Sequence, residues 1–150
     1  MATGPIDIRP LRTILVGWDC SPGAAAAMRM AATLAADRAV TVVALAVVPP
    51  LSRREEAEEA TADFDERRRV ARETFDKAME GLPDALRRQA SLRFAESDDA
   101  AGTVCEYATE HGFDLLALGR HGSGGLLHWR LGHVAATAAR KAALPVLLAP

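Results

Sequence analysis

The chain has 150 residues, of which 49% are apolar and 25% charged, with a formal net charge of −2. That length holds one domain with a real core, and the mix is that of a globular rather than a disordered protein. The near-neutral balance gives duplex nucleic acid no basic face to bind, and the longest apolar run, Val40 to Leu51, is too short to cross a bilayer.

Residues 1–11 are polar, contain Pro5 and Pro10, and read as a flexible leader to a domain spanning 12–150. They lack the basic-then-apolar order of a secretory signal. Thr13-Ile14-Leu15-Val16-Gly17 is a continuous apolar run, the pattern of a strand buried on both faces in a parallel sheet. Ser21-Pro22 reads as a helix start, and Ala24, Ala27, Met28, Ala31, Leu34 and Ala35 then recur at helical spacing. Val40 to Val48 is the clearest strand, stopped by Pro49-Pro50.

The charge-dense stretch Arg53 to Arg72 resembles an interaction tail at first sight. An apolar stripe through Phe64, Ala71, Phe75, Ala78, Met79 and Leu82 makes it the solvated face of a long amphipathic helix, its first part frayed. Asp63–Arg67 and Asp65–Arg69 are the helpful acid–base pairs, and Pro83 ends or interrupts the helix. Ser91 to Ala95 alternates, as a strand near the sheet edge does. Asp98 or Asp99 caps a helix that buries Ala101, Val104, Cys105 and Ala108 and stops at Gly112. Asp114–Gly119, Val134–Ala143 and Pro145–Ala149 follow as strand, helix and strand. This alternation implies an α/β fold, a parallel sheet with helices on both faces. Ligands of such sheets sit beyond the carboxyl ends of the strands, where the strand order reverses.

Chemistry concentrates in Leu115 to Val134. Gly119, Gly122, Gly124, Gly125 and Gly132 follow a strand and open a helix, among Arg120, His121, His128, Arg130 and His133, with no acid. A glycine-rich turn of this kind aims free N–H groups at one point, which suits a phosphate. Cys20 and Cys105 fit neither a metal-ligand spacing nor a disulfide framework, so the chain reads as reduced and cytoplasmic, with both thiols as small buried fillers.

The spacing Gly119-x2-Gly122-x9-Gly132, the opening ILVGWDCSP and the ending GHVAATAARKAALPVLLAP together resemble the universal stress protein family over Arg12 to Pro150. The resemblance implies a Rossmann-like five-stranded parallel sheet in the order 3-2-1-4-5, with an adenine nucleotide between strands one and four. It places Gly17 and Asp19 beside adenine and ribose, and gives the base edge to the backbone of Val47. Leu118 and Gly119 floor the ribose, while Gly122, Gly132, His133 and Val134 donate backbone N–H groups to the phosphates. Arg120 and Arg130 are even candidates for phosphate contact. It further implies a homodimer through the last strand, Val146 to Leu148.

Two positions depart from the family pattern. His133 replaces the usual Ser or Thr, which leaves ATP against AMP or ADP open. Gly17 replaces the usual Pro, and the bulky Trp18 behind it reads as a packing residue. A role for Mg2+ beside the phosphates is left open as well. The leading function is a stress-response sensor or regulatory dimer that binds an adenine nucleotide. Its rivals are a nucleotide-free dimerisation module and an enzyme, either a slow ATP hydrolase or a thiol catalyst using Cys20. No nucleophile and base stand at a spacing that would favour the enzyme.

Overall fold

A computed structural model describes residues 10–50, 57–120 and 131–150. The run read as the first strand forms β1 (Thr13–Gly17), buried from Ile14 onward. Cys20 then takes a left-handed turn at φ 66°. Ser21 caps α1 (Pro22–Ala35), its Oγ accepting from the Ala24 N–H at 3.1 Å. Beyond α1, β2 (Thr41–Val48) is buried everywhere except Thr41, as a β-branched run between two neighbours should be.

The charged stretch forms α2 (Ala57–Glu80). Asp63 pairs with Arg67 at 2.6 Å as expected. Arg69 does not take Asp65; Glu66 and Glu73, one turn to either side and longer by a methylene, bracket its guanidinium at 2.5 Å each. Arg68, itself exposed, lies over the Phe94 ring of the edge strand, 4.8 Å from its centroid. Pro83 does more than interrupt. Lacking an N–H it cannot continue a helix, but its carbonyl accepts from Leu86 and opens a further short helix, α3 (Asp84–Gln89), which the sequence reading lacked.

The edge strand β3 (Ala90–Glu96) leads to α4 (Ala100–Glu110), capped by Asp99 rather than Asp98. The helix ends before Gly112 at φ 66°, a left-handed stop that favours glycine. Cys105 is half-buried rather than core, since Val104 and Ala108 take the inward face of α4. Asp114 does not open β4 (Leu115–Gly119); its side chain instead holds the start of β1. The last helix, α5 (Leu131–Lys141), begins before the expected Val134, so Gly132 and His133 lie in its first turn. It is followed by β5 (Val146–Ala149).

The strands form one parallel sheet in the order β3-β2-β1-β4-β5. Right-handed crossovers in this order put α1 and α2 over one face and α4 and α5 over the other. Between them Ile14, Leu15, Val16, Leu45, Leu116 and Leu118 are completely buried. Among the described residues no helix is long and apolar enough to cross a membrane.

Candidate functional site

The strand order reverses between β1 and β4, so the gap beyond their carboxyl ends is where a parallel sheet can admit a ligand. The backbone groups bordering that gap follow from strand alternation. Trp18 N–H donates to Leu45 O at 2.9 Å, so Leu45 faces β1, while Ser97 N–H meets Val48 O on the β3 side. Residues two apart face the same way. Val47 therefore turns its N–H and C=O toward β1, at a level above Gly17–Leu45, where that pairing has ended.

Strand alternation also separates two residues expected to act together, Leu118 and Gly119. Leu116 N–H donates to Pro145 O and Arg120 N–H to Ala149 O, so even-numbered positions along β4 face β5. Leu118 thus directs its backbone to β5 and its side chain to the core. Gly119 directs its backbone toward β1, whose pairing with β4 ends at Val16–Ala117. A Cβ at Gly119 would stand 2.5 Å from the carbonyl carbon of Gly23. The N-terminus of α1 crosses the end of β4 that closely, so packing alone accounts for the glycine. The sequence reading missed Gly23; its signal was the Pro22-Gly23 pair at the first turn of α1.

Asp19, two residues beyond the end of β1, is fully buried. Its Oδ1 accepts from Ser21 N–H at 2.9 Å, whereas Oδ2 has no partner among the described residues. Burial pushes the carboxyl pKa up from its ordinary 3.8, and the bonds from Ser21 pull it partway back. Asp19 does not cap α1, because Ser21 already fills that role.

Next to it, Cys20 is half-buried. Burial raises its thiol pKa despite a hydrogen bond with Thr74, so the group is a poor source of thiolate. Trp18 is packed away, 1% exposed, its Nε1 donating to Ala71 O at 3.3 Å.

Across the gap His133 and Arg120 are exposed, while the Val134 side chain is core, leaving only its backbone for a ligand. N–H groups in a helix's first turn have no intrahelical acceptor, which applies to Gly132 and His133, the second and third residues of α5. Gly122 and Arg130 lie outside the described residues, as do Gly124, Gly125, His121 and His128. Among the described residues no cluster of three or more His, Cys, Asp or Glu side chains offers a metal site.

Strand order and crossovers define a doubly wound α/β domain with a switch point between β1 and β4. Within that class, the sequence profile described as the universal stress protein family matches residues 10–150, and the chain belongs to that family.

Three solved structures illustrate the likeness. The universal stress protein UspA from Lactobacillus plantarum superposes with TM-score 0.78 at 20% identity, over 95% of this chain and 100% of that one. A family protein from Burkholderia pseudomallei gives 0.67 at 26%, over 93% and 96%. The Archaeoglobus fulgidus universal stress protein, in complex with dAMP, gives 0.62 at 19%, over 95% and 100%. No curated protein sequence matches the chain.

Proposed function

We propose that this protein binds an adenine nucleotide across the carboxyl ends of β1 and β4 and acts as a stress-responsive regulatory dimer rather than an enzyme. Asp19 carries the reading: a buried carboxyl at the strand reversal with one oxygen unpartnered among the described residues. A buried acceptor left unpaired costs about 1–3 kcal/mol, more when charged, and a ribose hydroxyl donating to Oδ2 removes that cost.

In this pose Val47 offers its backbone to the base edge and Gly17 lies against adenine. Gly119 turns its backbone to the ribose, above the core that Leu118 fills. Gly122, Gly132, His133 and Val134 supply N–H groups to the phosphates, assisted by the dipole of α5. Arg120 and Arg130 supply charge at the rim, and Mg2+ accompanies the longer phosphate tails. The dAMP bound by the Archaeoglobus relative supports adenine as the base. ATP, ADP and AMP remain candidates, because an exposed imidazole at His133 replaces a hydroxyl. The raised thiol pKa of Cys20 argues against a thiol catalyst.

Asp19→Asn tests the reading. It keeps the shape but removes the charged acceptor, so AMP and ATP affinity, measured by calorimetry, falls by about tenfold or more. Stability responds in the opposite sense. Because the folded pKa stands above 3.8, the ionised carboxyl opposes folding, and stability drains away as pH rises through the folded value. The variant loses that slope. Unchanged nucleotide affinity overturns the role of Asp19. The position of His133 favours one second reading, the nucleotide-free dimerisation module, and no heat from wild-type protein with millimolar AMP or ATP selects it.

The dimer is assigned to the free edge of β5. Leu148, 43% exposed, lies on that strand, and Met30, also 43%, lies on α1, which packs against β5. Such an edge is normally covered or charged. Leu148→Lys is expected to convert a dimer to a monomer in sedimentation velocity. A variant that stays dimeric places the interface elsewhere.

A further inference from the structure

The amino ends of β4 and β5, opposite the β1–β4 gap, border an open hollow of about 630 Å3. That volume is in the range of small-molecule sites. Leu11, Phe113, Leu115 and Leu144 converge on it from the approach to β1, the α4–β4 turn and the α5–β5 turn. Each is only half-buried, whereas the large apolar side chains of β1 and β2 are shut away. Uncovered apolar walls that meet in one concave place mark a binding surface more often than scattered ones do.

Two polar side chains among the described residues line this hollow: Thr109, whose Oγ1 is spent on Cys105 O at 3.1 Å, and the ionisable Asp114. Its Oδ2 is fully engaged, accepting from Arg12 N–H at 2.9 Å, Thr13 N–H at 3.0 Å and Thr13 Oγ1 at 3.2 Å. No hydrogen bond among the described residues engages Oδ1. Those donors, the Arg12 N–H foremost, hold the carboxyl below its ordinary range, so it stays ionised. Among the described residues no lysine, arginine or histidine lines the hollow. Arg12 is exposed, and its charge is the weakest of the influences on Asp114. A fixed anion against apolar walls selects for a cation with an apolar body.

We propose that this hollow is a separate site for a small organic ammonium ion, with the cation on Asp114 Oδ1 and the apolar body against Phe113 and Leu144. The full chain, free of nucleotide, is titrated by calorimetry with phenethylammonium and with its neutral analogue 2-phenylethanol. The ammonium binds at least about tenfold more tightly than the alcohol, as a charge-assisted contact requires. Asp114→Asn reduces the ammonium to the affinity of the alcohol. Because Asp114 also holds the start of β1, a second variant leaves its bonds alone: Ala143→Trp, at an exposed position on the rim, fills the hollow and abolishes binding. Equal affinity for the two compounds, no heat from the ammonium, or full binding by Ala143→Trp each overturns the site. The titration contains no nucleotide, so its outcome is independent of the adenine reading.

Discussion

Replacing Trp18 with alanine lowers the free energy of unfolding by about 3–5 kcal/mol, the range for emptying a buried aromatic site. Trp18 leaves β1 with its N–H on Leu45 O, so its backbone is fixed by the sheet. Its ring lies edge-on to Phe75, with centroids 5.7 Å apart at 90°, and its Nε1 donates to Ala71 O. One side chain therefore ties the middle of α2 to the end of β1, and the outer face of that helix is too charged to hold it there. Trp18→Phe is the milder change. It keeps the six-membered ring's contact with Phe75 but loses the indole donor and leaves the space of the second ring empty, together about 1–3 kcal/mol. Ala71 O retains Thr74 Oγ1 at 3.2 Å, so no acceptor is stranded. Urea unfolding of both variants measures the difference. An alanine loss below about 1 kcal/mol would mean that α2 is held by other contacts.

The fold was legible because its signals are local and redundant. Continuous apolar runs at Thr13–Gly17 and Thr41–Val48, a Ser-Pro start and a glycine stop each have one good structural solution. Boundaries slipped where two local solutions compete. Pro83 both ends one helix and opens another, and Asp114 resembles a strand residue although one oxygen of its carboxylate, Oδ2, is spent on the backbone at the start of β1.

The candidate site was legible only in part. Its glycines and Asp19 stand out in the sequence, but which way a backbone faces is set by pairing between strands far apart in the chain. Periodicity therefore could not distinguish Leu118, turned to β5, from Gly119, turned to the gap. The unpartnered oxygen of Asp19 was equally hidden, because Ser21 serves both as the cap of α1 and as the donor to Oδ1.

Gly119→Ala brings the packing of the sheet and the site into one experiment. The new Cβ would lie 2.5, 2.7 and 2.8 Å from the C, O and Cα atoms of Gly23. All of these are backbone atoms at the N-terminus of α1, so no side chain can rotate away, and Gly23 has no side chain to trim. The end of β4 and the start of α1 must therefore move apart. Overpacking of this kind costs about 3 kcal/mol, at the upper end of its usual range, because the obstacle is backbone. For a domain of this size the midpoint of thermal unfolding then falls by roughly 10 °C. Adenine nucleotide affinity falls with it, because the displaced strand end carries the backbone that faces the gap. This pattern contrasts with Asp19→Asn, which loses affinity without losing the fold. If Gly119→Ala unfolds at the wild-type temperature and fails only to bind nucleotide, then glycine stands at 119 for the ligand and not for the helix that crosses it.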